Sequence, residues 1–137
     1  MQCAMAFIGG SPYCWKVSRQ TSTTLSSCEA EWFGQTVGTM MLLAHKPIFD
    51  FMNIKIRLPI ISFCDNTSAI AISEADGSTK RLKHVLTRMA FLQEQIRDGL
   101  VTLVHIATEG MIADIGTKAL PAPAFHRFRE FLVRNDD

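Results

Sequence analysis

The segment at residues 60–64 constrains the fold most strongly, because it is short, almost continuously apolar and sharply bounded. It reads Ile-Ile-Ser-Phe-Cys, follows Pro59 and precedes Asp65-Asn66. A run of this length and composition is typical of a β-strand that is covered on both faces. Such a strand needs helices packed against it, so the run favours a layered α/β domain.

Patterns on either side of this run predict the other elements. Residues 3–8 and 13–18 predict a hairpin around Gly9-Gly10-Ser11-Pro12. Ser26 and Glu29 have capping-box spacing at the start of a long amphipathic helix. Further on, the pattern predicts a helix at 67–73, a loop at 74–79, a helix at 82–96, a strand at 100–106, a loop at 108–110, a helix at 111–118 and a last helix carrying Phe125, Phe128 and Phe131. The order β-β-α-β-α-α-β-α-α predicts one α/β domain over residues 1–137, with a mixed β-sheet flanked by helices.

Composition excludes several classes of function. The chain has 137 residues and a net charge of +1, which gives no global attraction to nucleic acid. No apolar stretch is long enough to span a membrane and residues 1–10 do not resemble a signal peptide, so we expect an intracellular protein without a membrane partner. The four cysteines form no Cys-x-x-Cys pair and are expected to be reduced, mostly buried thiols. The four histidines are scattered, so any metal is expected to be a hard cation held by carboxylates.

Two glutamates at the start of the long helix point in nearly opposite directions, because they are two residues apart. Glu31 shares its face with Gly34 and Gly38. Each glycine costs a helix interior about 1 kcal/mol relative to alanine, so close packing on another element is expected there. Glu31 is therefore predicted to face the sheet and Glu29 to face outward. An ordinary first-turn glutamate, favoured by the helix dipole, is the alternative for Glu31.

Two aspartates lie where ligands often bind in α/β proteins. Asp65 ends the buried strand and opens a helix, a position that suits either a ligand site or a helix cap. Asp114 lies in the first turn of a short helix among apolar neighbours, where an acid is also favoured by the dipole. If Glu31 and these aspartates converged, they would repel one another unless a divalent cation joined them.

Blocks distributed over the whole chain resemble the ribonuclease H domain of copia-type LTR retrotransposon polyproteins. They occur in the family's order and at its spacing. The blocks are Gly9-Gly10-Ser11-Pro12 with Trp15 and Arg19-Gln20, Leu25 to Trp32 with its Glu-Ala-Glu motif, Cys64 to Ile70, Lys83-His84-Val85, Ala113 to Pro121, and the tail Phe125 to Leu132.

The resemblance implies a ribonuclease H-like fold and endonucleolytic hydrolysis of the RNA strand of RNA–DNA hybrids during reverse transcription. The family uses a two-metal-ion mechanism with Mg²⁺, for which Mn²⁺ can substitute. Its catalytic and metal-binding acids correspond to Glu31, Asp65 and Asp114. Residues expected to contact nucleic acid are Arg19, Asn66, Lys83, His84 and Lys118. A local basic surface that includes Lys80, Arg81 and Arg88 and a scattered solvated face are both compatible with the positions of the cations.

The chain departs from the family's pattern at its start. The family begins with a strand that carries a further catalytic aspartate, and this sequence has no acid before Glu29. That strand lies in the middle of the family's sheet, between the strands predicted at 3–8 and 60–64. The family's first, central strand is therefore expected to be missing from the sheet. The chain is expected to be the C-terminal part of a reverse transcriptase polyprotein.

Activity of these residues alone is therefore left open. The alternatives are an inactive ribonuclease H-like module that binds nucleic acid or a reverse transcriptase domain, and a decayed retroelement fragment. An integrase-type nuclease would need a glutamate where Asp114 lies, so that alternative is set aside. The resemblance implies an RNA–DNA hybrid and the reverse transcriptase domain as partners. It implies a location in the cytoplasm, within a virus-like particle, or in the nucleus.

Overall fold

The protein is described here from a computed structural model that covers residues 1–19, 27–67 and 83–133, without the side chains of 27–29 and 83–86. The predicted capping contact between Ser26 and Glu29 lies outside the described residues. The same is true of most of the helix predicted at 67–73 and of the loop at 74–79.

The N-terminal part is the predicted β-hairpin. Strand β1 (Gln2–Ile8) pairs antiparallel with β2 (Ser11–Ser18), with an irregularity in the register between Ala6 and Phe7. The turn contains Gly9 at φ 59° and Gly10 at φ 86°. Because positive φ is sterically easy for glycine alone, these two residues allow the chain to reverse here.

Helix α1 (Ser27–Phe51) follows and is the longest element. The helix contains Pro47 and extends beyond its predicted apolar stripe, which consists of Ala30, Phe33, Val37, Met41 and Ala44. Pro47 has no N–H for the carbonyl of Leu43, so the helix loses one hydrogen bond and ends about one turn later. Tyr13 packs edge-on against the rings of His45 and Phe49, which fixes the hairpin against the C-terminal half of α1.

The second half of the domain is a parallel strand pair with a helical crossover. Strand β3 (Ile60–Cys64) pairs with β4 (Val101–His105), and α2 (Lys83–Arg97) lies between them in the sequence. The core joins α1, α2 and this pair. Its buried members are Trp32, Cys64 and Leu92, and Met89, Ile96 and Leu103 pack against them.

The four described strands do not form the single mixed sheet that was predicted. They form two separate sheets of two strands, β1–β2 and β3–β4. Both contact α1, but β1 and β3 do not hydrogen-bond to each other. The mixed α/β class is confirmed, and the layout is compatible with a ribonuclease H-like fold that lacks a strand between β1 and β3.

The C-terminal segment differs from its prediction in helix type. Residues 108–110, predicted as a loop, and Ile112–Gly116 are short 3₁₀ helices. The N–H of Asp114 donates to the carbonyl of Met111 and that of Thr117 to the carbonyl of Asp114, the i to i+3 spacing of a 3₁₀ helix. Helix α3 (Ala122–Leu132) follows, and its Phe131 packs on Phe7 of β1. Within the described ranges, no helix has the length and apolarity needed to cross a membrane.

Candidate active site

A large cleft separates the two sheets. Its walls are the edges of β1 and β3, and its floor is the N-terminal half of α1. The cleft has a volume of about 1210 Å³. The floor contains both glycines of the stripe that was identified in the sequence. A β-carbon on Gly38 would lie 3.7 Å from the side chain of Ala4, whereas one on Gly34 would have nothing within 4 Å. The prediction of close packing is therefore confirmed at Gly38. It is wrong at Gly34, which opens onto the cleft.

The three predicted carboxylates line this cleft from three different elements. Glu31 comes from the beginning of α1, Asp65 directly follows β3, and Asp114 belongs to the 3₁₀ helix Ile112–Gly116. Partial burial raises the pKa of Glu31, and the negative charges of Asp65 and then Asp114 raise it further. The prediction that Glu31 faces the sheet side is confirmed. The side chain of Glu29 lies outside the described residues.

Among the described residues, Lys118 provides positive charge to the carboxylates. The ammonium of Lys118 lies 2.6 Å from Oδ2 of Asp114. The hydrogen bond to Asp114 raises the pKa of Lys118, and the charges of Asp65 and Glu31 add to this effect. In return, Lys118 lowers the pKa of Glu31. Lys118 therefore belongs to the same electrostatic cluster as the three acids.

The carboxylates of Glu31, Asp65 and Asp114 are suitable ligands for a hard divalent cation, but they are not arranged around a metal position. All three acidic groups are oxygen donors, which Mg²⁺ prefers. Among the described residues, however, no group of three or more His, Cys, Asp and Glu side chains is arranged to hold a metal ion. In this arrangement Lys118 contacts one carboxylate oxygen of Asp114.

Gln35 is a polar residue of the cleft that the sequence analysis did not single out. Its Nε2 donates to the carbonyl of Phe63 at 2.9 Å, and its Oε1 accepts from the hydroxyl of Ser62 at 2.6 Å. These bonds tie α1 to β3 just before Asp65. The spacing offered a signal, because Gln35 lies one helical turn after Glu31 and shares its face.

The residues predicted to contact nucleic acid belong to several different elements. Arg19 is exposed just after β2, and Asn66 is half-buried next to Asp65. Lys83 and His84 begin α2, but their side chains lie outside the described residues. Lys118 is half exposed beside the cleft. Arg19 and Lys118 follow segments that approach each other at Val17 and Gly116, and a shared basic surface of these two residues stays a prediction.

Arg88 has a structural contact that the sequence did not reveal, and the described cysteines are free thiols. Arg88, included in the possible basic surface, stacks over the ring of Phe33 at 4.1 Å, a cation–π contact that joins α2 to α1. Cys3 and Cys14 are free, half-buried thiols and Cys64 is a free, buried thiol, as predicted. Burial raises the pKa of Cys64, so it is a core residue and not a reactive thiolate.

The fold and the cleft define a mixed α/β domain with three carboxylates at one end of an open groove. Among known proteins, the chain is 27% identical over 126 residues to the retrovirus-related Pol polyprotein from transposon RE1 of Arabidopsis thaliana, a match that covers 90% of the chain. It is 26% identical over 126 residues to the corresponding polyprotein from transposon TNT 1-94 of Nicotiana tabacum. No family model and no solved structure matches the chain.

The homologues of the chain are therefore retrovirus-related Pol polyproteins from transposons. The chain spans 8% of the length of the RE1 polyprotein and 9% of that from TNT 1-94. The predicted relationship to retrotransposon polyproteins is thereby confirmed. The ribonuclease H domain within them stays a prediction.

Proposed function

We propose that the chain is the ribonuclease H-type endonuclease region of a retrotransposon Pol polyprotein. It would hydrolyse the RNA strand of RNA–DNA hybrids during reverse transcription, with the reverse transcriptase domain of the same polyprotein as its neighbour. Such a domain would act in a cytoplasmic virus-like particle or in the nucleus.

The observation that carries this proposal is the convergence of Glu31, Asp65 and Asp114 on one cleft from three separate elements. The pKa of Glu31 responds to both aspartates, which places the three charges within electrostatic reach of one another. Like charges at a common site are costly without a cation, so the arrangement is more easily understood as a ligand set than as a structural cluster.

The cofactor in this proposal is Mg²⁺, or Mn²⁺ in its place, held by the three carboxylates. When bound, the metal supplies Lewis-acid activation of water and neutralises charge on the phosphodiester. Because no described group is arranged around a metal, holding the cation would require the three carboxylates to lie closer together than they do in the metal-free protein. The half-exposed ammonium of Lys118, beside Asp114, is a candidate contact for a substrate phosphate.

The unpaired strand edges support a sheet that is completed by one more strand. In β3, the N–H of Ile60 and the carbonyl of Cys64 both bond within or next to β4. The peptide groups of Phe63 point to the opposite edge, toward the cleft, because directions alternate along a strand. The start of β1 and the end of β3 both lie near the carboxylates, as the contact of Cys3 with Gly116 and the position of Asp65 indicate. The two strands therefore run in opposite directions, and an inserted strand would be parallel to one of them and antiparallel to the other.

A second candidate is an inactive module that binds nucleic acid or the reverse transcriptase domain. Two observations favour it: the described residues contain no assembled metal group, and Lys118 already neutralises Asp114. A decayed element would share these features. The two candidates make opposite predictions for hybrid cleavage.

The test is cleavage of an end-labelled RNA–DNA hybrid in Mg²⁺, by the chain as printed and by a version that includes the segment encoded upstream. We expect cleavage by the longer version and a loss of at least about 100-fold in Glu31→Gln, Asp65→Asn and Asp114→Asn. Glu94→Gln, an exposed acid on α2, is the matched control and should retain full activity. Absence of cleavage by both folded versions would refute the enzyme and favour the binding module.

A further inference from the structure

The contact between Lys118 and Asp114 is formed by a local backbone arrangement. The carbonyl of Asp114 accepts hydrogen bonds from the N–H of Thr117, the hydroxyl of Thr117 and the N–H of Lys118. These bonds close the turn that follows the 3₁₀ helix, so the side chains of Asp114 and Lys118 come to lie on the same side. The turn therefore holds the two side chains where they form the 2.6 Å ion pair.

The two partners of this ion pair differ in exposure. The side chain of Asp114 is 15% exposed, whereas that of Lys118 is 51% exposed. The carboxylate is thus largely removed from water and needs a positive partner, because an unpaired buried charge is costly. The ammonium is close to solvent and can leave without being dehydrated further.

Asp114 also lies between two cavities. On one side is the cleft with Glu31 and Asp65, and on the other is a smaller pocket of about 360 Å³ that Lys118 lines. Asp114 is therefore shared, because a cation held in the cleft and the ammonium of Lys118 would both draw on the same carboxylate.

We propose that Lys118 is the built-in counter-ion of the cleft carboxylates, and that a divalent cation competes with its ammonium for Asp114. This inference rests on the proposed metal site and adds a means by which the metal-free domain stays folded. In the absence of metal, Lys118 offsets the repulsion among Glu31, Asp65 and Asp114. When metal binds, the ion pair with Asp114 opens.

The experiment measures binding of Mn²⁺ and Mg²⁺ by calorimetry, and of Mn²⁺ also by electron paramagnetic resonance, without substrate. Lys118→Met removes the competing charge and should tighten metal binding about five-fold, since a partly exposed ion pair contributes about 1 kcal/mol. In EDTA the same variant should melt about 4 °C below the unsubstituted chain. Saturating Mg²⁺ should therefore raise its melting temperature by more than it raises that of the unsubstituted chain.

The chain offers a matched control in the pair Lys46–Asp50 of α1. This pair also has i, i+4 spacing and a 2.7 Å contact, but neither residue lines the cleft. Lys46→Met should leave the metal affinity unchanged. Lys118→Arg keeps the positive charge and should bind metal no more tightly than the unsubstituted chain.

The outcomes separate the two proposals. If the unsubstituted chain binds metal, and Lys118→Met with an unchanged circular dichroism spectrum binds it equally or more weakly, competition is refuted while the metal site stands. Weaker binding would mean that Lys118 positions Asp114 for the cation. If neither protein binds either metal at millimolar concentration, the metal site and the counter-ion role both fail.

Discussion

Gln35 provides the most direct test of how the cleft is held in shape. The residue is only 9% exposed, and its side-chain amide bonds to both the carbonyl of Phe63 and the hydroxyl of Ser62. Gln35→Met keeps the length of the side chain but removes both hydrogen bonds. The carbonyl of Phe63 faces the open edge of β3, so it loses its partner on the cleft side.

The size of the effect follows from these contacts. Two partly buried hydrogen bonds contribute about 1 kcal/mol each, so the variant should lose about 2 kcal/mol of unfolding free energy. For a domain of this size, the loss lowers the melting temperature by about 8 °C. Ser62→Ala removes only one of the bonds and should cost about 1 kcal/mol. Because the residues share a hydrogen bond, the double variant should cost less than the sum of the single ones.

The assay is urea unfolding followed by tryptophan fluorescence, since Trp32 lies in the core. Gln95→Met is the matched control, because Gln95 is also 9% exposed and lies on α2, away from the hydrogen bonds that join α1 to β3. It should change stability by less than about 0.5 kcal/mol. Equal stability of Gln35→Met and Gln95→Met would show that the amide bridge does not hold β3 on α1.

Three further predictions concern the charge of Glu31 and the space around Gly116 and Gly34. Burial and the neighbouring acids raise the pKa of Glu31, so its contribution to stability is present below its ordinary value of 4.5 and is lost as the pH rises through the folded pKa. In EDTA, Glu31→Gln should therefore be about 0.5–1 kcal/mol more stable than the unsubstituted chain at pH 7 and equally stable at pH 4, when denaturant midpoints are compared; a constant difference across this range would contradict the assignment. A β-carbon at Gly116 would lie 2.7 Å from Sγ of Cys3 and 3.1 Å from a methyl group of Val17, so Gly116→Ala should cost about 1–3 kcal/mol. The β-carbon of Gly34→Ala would meet nothing within 4 Å, so this variant should be about 0.5–1 kcal/mol more stable than the unsubstituted chain. Urea unfolding measures both glycine variants, and destabilisation by Gly34→Ala would indicate that the cleft at Gly34 is filled.

Local sequence patterns were sufficient for most of the secondary structure. The alternation and turn residues of the hairpin, the apolar stripe of α1 and the short apolar run of β3 all describe interactions between residues close together in the chain. The bounds of the hairpin strands and of β3 are confirmed within two residues, whereas α1 continues seven residues beyond Ala44, the last residue of its predicted stripe. The segment around Asp114 was harder, because a 3₁₀ helix and an α-helix share the same composition and differ in hydrogen-bond spacing.

For the candidate site, the sequence identified the residues and the structure related them to one another. The capping-type spacing and the glycine stripe predicted that Glu31 faces the sheet, and the strand end and helix start indicated Asp65 and Asp114. Their roles in catalysis came from the family resemblance. The bridge through Gln35 could not be predicted, because it depends on how α1 lies against β3, which residues 28 positions apart decide.

The sequence by itself determined which segments form helices and strands and which acids are placed at their ends, since periodicity and turn chemistry act over a few residues. Only the tertiary structure decided that the strands form two sheets, that an open cleft lies between β1 and β3, and that Glu31, Asp65 and Asp114 line this cleft together. These features depend on which backbone edges find partners and on how charges from distant segments meet. Both depend on the packing of the whole chain around α1.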